Sequence, residues 1–139
     1  MAEYRNAEGY ADPTAYEAFR SIEKEEKKNK GFMPVVYICS PYAGDIESNT
    51  DAARRYCRFA VDKGAVPLAV HLLFPQFMSE DTERELALHM GEIILSKCKE
   101  LWCFGDRISE GMKRELETAD RRGITIRYFT EELEEKTNA

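Results

Sequence analysis

Four short apolar runs, separated by segments with a helical pattern, limit the folds that this chain can adopt. The runs cover residues 34–39, 65–70, 101–104 and 124–129, and the helical patterns cover residues 49–63, 82–97 and 109–122. The first run has no alternation of polar and apolar residues, which indicates a strand buried on both faces. The order β-α-β-α-β-α-β with short connections predicts a doubly wound α/β domain.

We expect a Rossmann-like three-layer α/β/α domain whose parallel sheet has about four strands in the order 2-1-3-4. Right-handed crossovers place helices on both faces of such a sheet. The domain is expected over residues 33–139, behind a polar, helical N-terminal arm over residues 1–32. Ligands of these sheets bind beyond the carboxyl ends of the strands. Three segments are predicted to lie at that edge: residues 40–48, a long loop over residues 71–81, and residues 105–111. We also expect a capping box from Thr82 to Glu85 to open the following helix, and Thr130 to cap a short terminal helix.

The composition argues against several classes of function. The 139 residues carry a formal net charge of -6, whereas binding to a nucleic-acid polymer or a membrane surface needs a basic footprint. No apolar run approaches the roughly 18 residues of a membrane-spanning helix. The four cysteines and two histidines lack the spacing of a zinc site. We therefore expect no metal or other cofactor, and reduced cysteines in a cytoplasmic protein.

The segment from Ser109 follows an apolar run and opens a helix. Free N–H groups at a helix start bind anions, so Ser109, Gly111 and Met112 are candidates for binding a phosphate. Ser109 can cap the helix and also donate its hydroxyl, and Gly111 allows a ligand to approach closely. The alternative is an ordinary N-cap serine followed by a glycine.

Glu115 lies one turn further along the same helix. It falls roughly 70° from the centre of the helix's apolar stripe, at the edge of that stripe. This position makes it the carboxylate of the helix that we expect to face the crevice. The helix start and Arg107 should oppose the effect of burial on its pKa, so we expect it to stay ionised at neutral pH. The alternative is a boundary residue paired with a lysine or an arginine.

Two further loops supply candidates for ligand binding. Residues 40–48 contain Ser40, Tyr42, Gly44 and Asp45, without a GxGxxG or a GxxxxGK[ST] motif. His71 follows the second strand, beside aromatic residues suited to form a wall against a flat ring. A hydrophobic loop that simply packs over the sheet is the alternative.

Taken together, these segments resemble the nucleoside 2-deoxyribosyltransferase-like superfamily. That group includes the 2'-deoxynucleoside 5'-phosphate N-hydrolases and many short, uncharacterised bacterial and phage domains, which this chain resembles most. The resemblance covers residues 34–129. It is carried by Tyr37-Ile38-Cys39-Ser40-Pro41-Tyr42, by the loop with His71, and by Ser109-x-Gly111-x-x-x-Glu115 followed by Ala119 and Gly123-Ile124.

The resemblance implies roles for three residues. Glu115 would be the nucleophile that attacks C1' of a deoxyribosyl group, Ser109 would bind a 5'-phosphate, and Tyr37 would line the sugar site as part of the catalytic centre. Characterised members also carry an aspartate before the third strand, whereas residues 88–92 of this chain contain none. The implied partner is a small-molecule nucleotide or nucleoside.

Three functions remain open from the sequence. The first is an N-glycosidase or deoxyribosyltransferase that acts at C1' of a nucleotide or nucleoside. The second is a nucleotide-binding sensor or sequestering protein without turnover. The third is a structural module with a vestigial pocket.

The helix predicted over residues 82–97 is apolar on two sides. A helix of this kind is covered on two sides, and the sheet accounts for only one of them. We therefore expect a homodimer or a larger homo-oligomer. The two faces consist of Leu86, Met90 and Ile93, and of Leu88, Gly91 and Leu95.

Overall fold

A computed structural model of the chain describes residues 31–137. The helical arm expected over residues 1–32 lies outside the described residues, apart from its last two positions. The described part contains one parallel sheet, and its strand order is β2-β1-β3-β4. The strands are β1 (Val35–Cys39), β2 (Val66–Leu68), β3 (Glu100–Phe104) and β4 (Thr125–Phe129). The predicted fold class and strand order are confirmed.

Helices cover both faces of this sheet. They are α1 (Ile46–Asp62), α2 (Val70–Leu73), α3 (Arg84–Ser96) and α4 (Glu110–Arg121), with a short 3-10 helix at Phe74–Gln76. Helix α1 packs on one face through Tyr56 and Ala60. Helices α3 and α4 pack on the other face through Leu95, Met112 and Ala119. The result is the expected three-layer arrangement.

Strand β1 contributes side chains to the cores on both faces of the sheet, because successive side chains point to opposite faces. Val36 and Ile38 belong to the core shared with α1. Tyr37 and Cys39 belong to the core beneath α3 and α4. Both of the latter side chains are therefore placed under helix α4, where Glu115 lies.

Two expectations for residues 71–85 are wrong. The segment expected as a long loop begins with α2 and the 3-10 helix. A capping box from Thr82 to Glu85 does not form. The preceding turn is closed instead by Glu83, whose Oε1 accepts a hydrogen bond from the N–H of Ser79 at 2.9 Å. Helix α3 then begins at Arg84 without a side-chain cap.

The end of the chain also differs from the expectation of a short helix after Thr130. The chain instead turns back, and Glu135 forms an antiparallel bridge with Phe129. An ion pair links β4 to the returning segment, with 2.7 Å between Nη2 of Arg127 and Oε1 of Glu135. Lys136 Nζ donates to the carbonyl oxygen of Gly105 at 3.2 Å. The returning segment thus fixes the loop that leads into α4.

The four cysteines are free thiols, as expected. Three of them, Cys39, Cys98 and Cys103, are buried in the core beneath α3 and α4. Within residues 31–137, no helix combines the length and the apolar character needed to cross a membrane.

Candidate functional site

A cavity of about 200 Å³ lies beside the carboxyl end of β1 and is bordered by residues of α2, α3 and α4. A water molecule occupies about 30 Å³ in the liquid, so the cavity has room for a small organic molecule. Six of the predicted site residues line it together: Tyr37, Tyr42, His71, Ser109, Gly111 and Glu115.

Glu115 is the buried acid of this cavity. Only 9% of its surface is exposed, although helix α4 is strongly amphipathic and its other acids face solvent. Its Oε2 atom accepts a hydrogen bond from the hydroxyl of Tyr37. Its Oε1 atom lies 3.6 Å from Sγ of Cys39, which donates the second bond. Both donors come from β1, two residues apart on one face of the strand.

Burial raises the pKa of Glu115 to about 7, although the hydrogen bonds from Tyr37 and Cys39 lower it. No ion pair within the described part of the chain involves Glu115. We expected this carboxyl to stay ionised at neutral pH, whereas a pKa of about 7 leaves it ionised only in part. The desolvation of the charge outweighs the two neutral donors, so the acid and the carboxylate coexist near pH 7.

Tyr37 is held in place by the close approach of helix α3. A Cβ atom added at Gly91 would lie 3.3 Å from the hydroxyl oxygen of Tyr37, tighter than most side-chain contacts. Burial, the charge of Glu115 and the hydrogen bond to Glu115 raise the pKa of Tyr37 well above its usual value. The phenol therefore keeps its proton and acts as a donor to Glu115.

Helix α4 begins at the cavity wall with Ser109 as its N-cap. Ser109 Oγ accepts a hydrogen bond from the N–H of Met112 at 3.2 Å, and the first bond along the helix runs from Lys113 N to Ser109 O at 2.9 Å. The N–H groups of Glu110 and Gly111 thus precede the first helical bond. Together with the hydroxyl proton of Ser109, they form a set of donors beside the cavity.

Tyr42 and His71 make part of the cavity wall aromatic. The rings of Tyr42 and His71 stack with their centroids 4.9 Å apart and their planes 16° from parallel. Asn49 Nδ2 donates to the carbonyl oxygens of Tyr42 and Ala43 at 3.0 and 3.1 Å, which fixes the loop that carries Tyr42. Burial and the charge of Arg84 lower the pKa of His71 to about 4, so His71 is neutral at physiological pH.

Four other predicted residues do not line this cavity. Ser40 is buried at the end of β1, and Met112 is packed in the core. Asp45 caps α1 through its bond with the N–H of Ser48 at 3.1 Å. Gly44 has a φ of 98°, and the turn before α1 uses this left-handed conformation. Gly44 and Asp45 therefore shape the turn that leads into α1.

Three residues of the site were not predicted from the sequence. Arg114 lines the cavity and donates to Glu92 Oε1 at 2.8 Å across the gap between α4 and α3. Cys39 reaches Glu115 from the strand below. Gly91 had a signal in the sequence, since a glycine inside a helical pattern often marks a close approach. For Arg114 and Cys39 no motif marks the role.

Among residues 31–137, no cluster of three or more His, Cys, Asp or Glu side chains is arranged to hold a metal ion. The donors described above are hydroxyl, thiol and backbone N–H groups. Such groups suit an organic or anionic ligand.

Comparison with known proteins gives one family and one fold. A family model described as a domain of unknown function (DUF7768) matches residues 34–129. No curated protein matches the sequence. Among solved structures, the 2-deoxyribosyltransferase of Bacillus psychrosaccharolyticus is similar, with a TM-score of 0.53, 17% identity, and coverage of 75% of this chain and 77% of the other. At that identity the likeness concerns the fold.

Proposed function

The chain belongs to the family of the domain of unknown function DUF7768, and from the geometry of its site we propose that it cleaves or transfers at C1' of a nucleotide or nucleoside. Glu115 is the proposed nucleophile. The observation that carries the proposal is the buried carboxyl of Glu115, held by two neutral donors at the wall of a cavity that also contains a helix start. The fold shared with a 2-deoxyribosyltransferase supports it.

The proposed reaction has two steps. An oxygen of the Glu115 carboxylate bonds to C1' while the bond from C1' to the base nitrogen breaks, and the base leaves with the electron pair and takes a proton from solvent. The resulting sugar ester then reacts at C1' with water, or with the nitrogen of a second base. The ester bond breaks and Glu115 is restored as a carboxylate.

Burial suits Glu115 to this chemistry. The positive charge that develops at C1' in an oxocarbenium-like transition state is stabilised by a nearby carboxylate. Such an interaction is stronger where water is excluded. The same exclusion of water raises the pKa of Glu115 to about 7, so the active form gains population as the pH rises through neutrality.

The start of α4 is the proposed phosphate site. The N–H groups of Glu110 and Gly111 and the hydroxyl of Ser109 supply donors, and the helix dipole favours an anion there. Arg114 lines the same cavity one residue before Glu115 and brings a positive charge. A 5'-phosphate at this position would place the sugar between the helix start and Glu115.

A panel of 5'-nucleotides and nucleosides, each with deoxyribose or ribose, tests the proposal by measuring the free base released over time. We expect wild-type protein to release base from at least one deoxy compound. Glu115→Gln keeps the shape of the side chain, removes the charge, and should abolish release. Glu117→Gln is the matched control, because Glu117 is exposed on the same helix. Equal turnover by the Glu115→Gln variant would place the chemistry elsewhere.

A second candidate is a nucleotide-binding protein without turnover. Two features favour it: burial raises the pKa of Glu115 to about 7, and α3 presents Gly91, not an acid, beside the hydroxyl of Tyr37. Saturable binding of a 5'-nucleotide without base release, measured by calorimetry on the same panel, would support this candidate over the first.

A further inference from the structure

Cys39 is the second donor to Glu115 and plays no part in the chemistry described above. Its side chain is completely buried at the carboxyl end of β1. Its Sγ atom lies 3.6 Å from Oε1 of Glu115, while the hydroxyl of Tyr37 donates a hydrogen bond to Oε2. Each oxygen of the carboxylate thus has one donor, and both donors come from the same strand.

The Cys39 thiol has a second neighbour in Cys103. The two residues are partners in the parallel register of β1 and β3. The hydrogen bond with Cys103, burial and the charge of Glu115 all raise the pKa of Cys39 well above its usual value. Cys39 therefore keeps its proton at neutral pH, and the ionised carboxylate is a stronger acceptor for it than a thiol sulfur.

Among the described residues, no positively charged group forms an ion pair with Glu115. Arg114 is engaged with Glu92 at 2.8 Å, and His71 is neutral. A donor that binds the carboxylate more strongly than the neutral acid favours ionisation. The titratable groups of the core beneath Glu115 are Cys39, Cys98, Cys103 and Tyr128. Those that line its cavity are Tyr37, Tyr42, His71, Glu80, Arg84, Glu92, Glu110 and Arg114.

We infer that Cys39 is a positioning residue whose thiol donates to Oε1 of Glu115 and so keeps the proposed nucleophile charged and correctly oriented. Its contribution to turnover rests on the proposed function. The hydrogen bond and its effect on the proton affinity of Glu115 do not, so the two can be tested separately.

The test is the pKa of Glu115 in the ligand-free protein, followed by carbon-13 NMR of labelled glutamate carboxyl groups. Cys39→Ala removes the donor, and the pKa of Glu115 should rise by about one pH unit, since a hydrogen bond to a charged group contributes on the order of one such unit. Cys39→Ser restores a donor and should bring the pKa back to the wild-type value or below it. Cys39→Val is a second variant without a donor, should the alanine variant fail to fold.

Cys98→Ala is the matched control. Cys98 is a thiol of the same core, but it donates to the carbonyl of Ile94 at 3.4 Å and not to Glu115. Its removal should leave the pKa of Glu115 unchanged. A change of equal size in the Cys98 and Cys39 variants would mean that loosened packing, not the hydrogen bond, moves the pKa, and would overturn the inference.

The pH dependence of turnover is the second measurement. The midpoint of the rise of kcat with pH should move up in Cys39→Ala by the same interval as the NMR pKa, and should return in Cys39→Ser. An unchanged NMR pKa in Cys39→Ala overturns the role of Cys39 whether or not the protein turns over. A shifted pKa in a protein that releases no base leaves the role of Cys39 standing and rejects the proposed function.

Discussion

Glu115 differs from a surface glutamate in two measurable respects, its burial and the neutrality of its hydrogen-bond donors. Tyr37 and Cys39 satisfy its oxygens, yet neither brings a positive charge. Burial therefore raises the pKa of Glu115 to about 7. A group of this kind favours folding less when it is ionised than when it is protonated, so its retention in a core fits a chemical role.

This pKa makes the stability of the fold depend on pH. Between about pH 4.5 and pH 7 the folded protein holds a proton on Glu115 that the unfolded chain has released, so the free energy of unfolding falls as the pH rises through this window. Glu115→Gln removes that dependence. Between pH 4.5 and pH 8, the difference in free energy of unfolding between Glu115→Gln and wild type should shift in favour of the variant by up to about 3 kcal/mol.

Urea unfolding of both proteins at the two pH values measures this gain. Glu117→Gln serves as the control and should show no comparable change. If the difference in stability between wild type and Glu115→Gln is the same at both pH values, then Glu115 is not desolvated in solution as the structure has it.

Gly91 supports the site from the helix above. In Gly91→Ala the new Cβ atom would lie 3.3 Å from the Tyr37 hydroxyl, so that hydroxyl must shift by a few tenths of an ångström. We expect the shift to weaken its bond with Glu115. Alanine also favours a helix interior by about 1 kcal/mol over glycine. We expect base release to fall several-fold while the free energy of unfolding stays within about 1 kcal/mol of wild type. A parallel loss of activity and stability would point to general disruption.

At the scale of elements, helix α4 joins the two halves of the proposed site. Its first residues present free N–H groups to the cavity, and its second turn carries Glu115. Because the helix is rigid, the distance between phosphate and nucleophile is set by the sequence spacing from Ser109 to Glu115. The loop before it is fixed from the other side by Lys136 and Gly105.

Nucleotide binding at this helix start gives a prediction about stability. A 5'-nucleotide at about 100 times its dissociation constant should stabilise the fold by about 2.7 kcal/mol. A Cβ atom at Gly111 meets nothing nearer than Ser109 Oγ at 4.0 Å, so Gly111→Ala fits the free protein but narrows the approach to the helix start. Thermal shift assays should show the nucleotide effect lost in Gly111→Ala. Arg121→Ala, at the far end of the helix, should retain it.

The sequence predicted the elements well where the apolar pattern was continuous. The alternation of strands and helices predicted a parallel sheet covered on both faces, and the place of Glu115 at the edge of the stripe of α4 predicted that its side chain faces the crevice. The short α2 helix was missed because four residues carry too little periodicity to be recognised. Cys39 was missed because its role depends on a contact between β1 and α4, which lie 76 residues apart in sequence, and no local pattern encodes such a contact.

At the scale of the whole molecule, helix α3 packs on the sheet layer and, among residues 31–137, leaves part of its other apolar face exposed. Met90 of that face packs against the core beneath α3 and α4. Gly91 and Leu95 are buried against the sheet layer. Leu86 and Ile93 are 50% and 47% exposed. A second copy of the chain placed on this face would bury both side chains, which is the arrangement that the two-sided apolar pattern predicts.

We predict that the wild-type protein is at least a dimer at micromolar concentration and that Leu86→Glu with Ile93→Glu converts it to a monomer of 16.0 kDa. Light scattering coupled to gel filtration measures both masses. Val61→Glu, a similarly exposed position at 41% on α1, should leave the assembly intact. A wild-type mass of 16.0 kDa would contradict the prediction.

In the proposed reaction the carboxylate of Glu115 bonds to C1'. Acid quenching of a reaction with a deoxynucleotide, followed by mass spectrometry of the proteolytic fragments, tests it most directly. We expect the mass of one deoxyribosyl phosphate on the fragment that contains Glu115, and none on that fragment from Glu115→Gln. Base release by wild-type protein with the sugar attached to a different residue would contradict it.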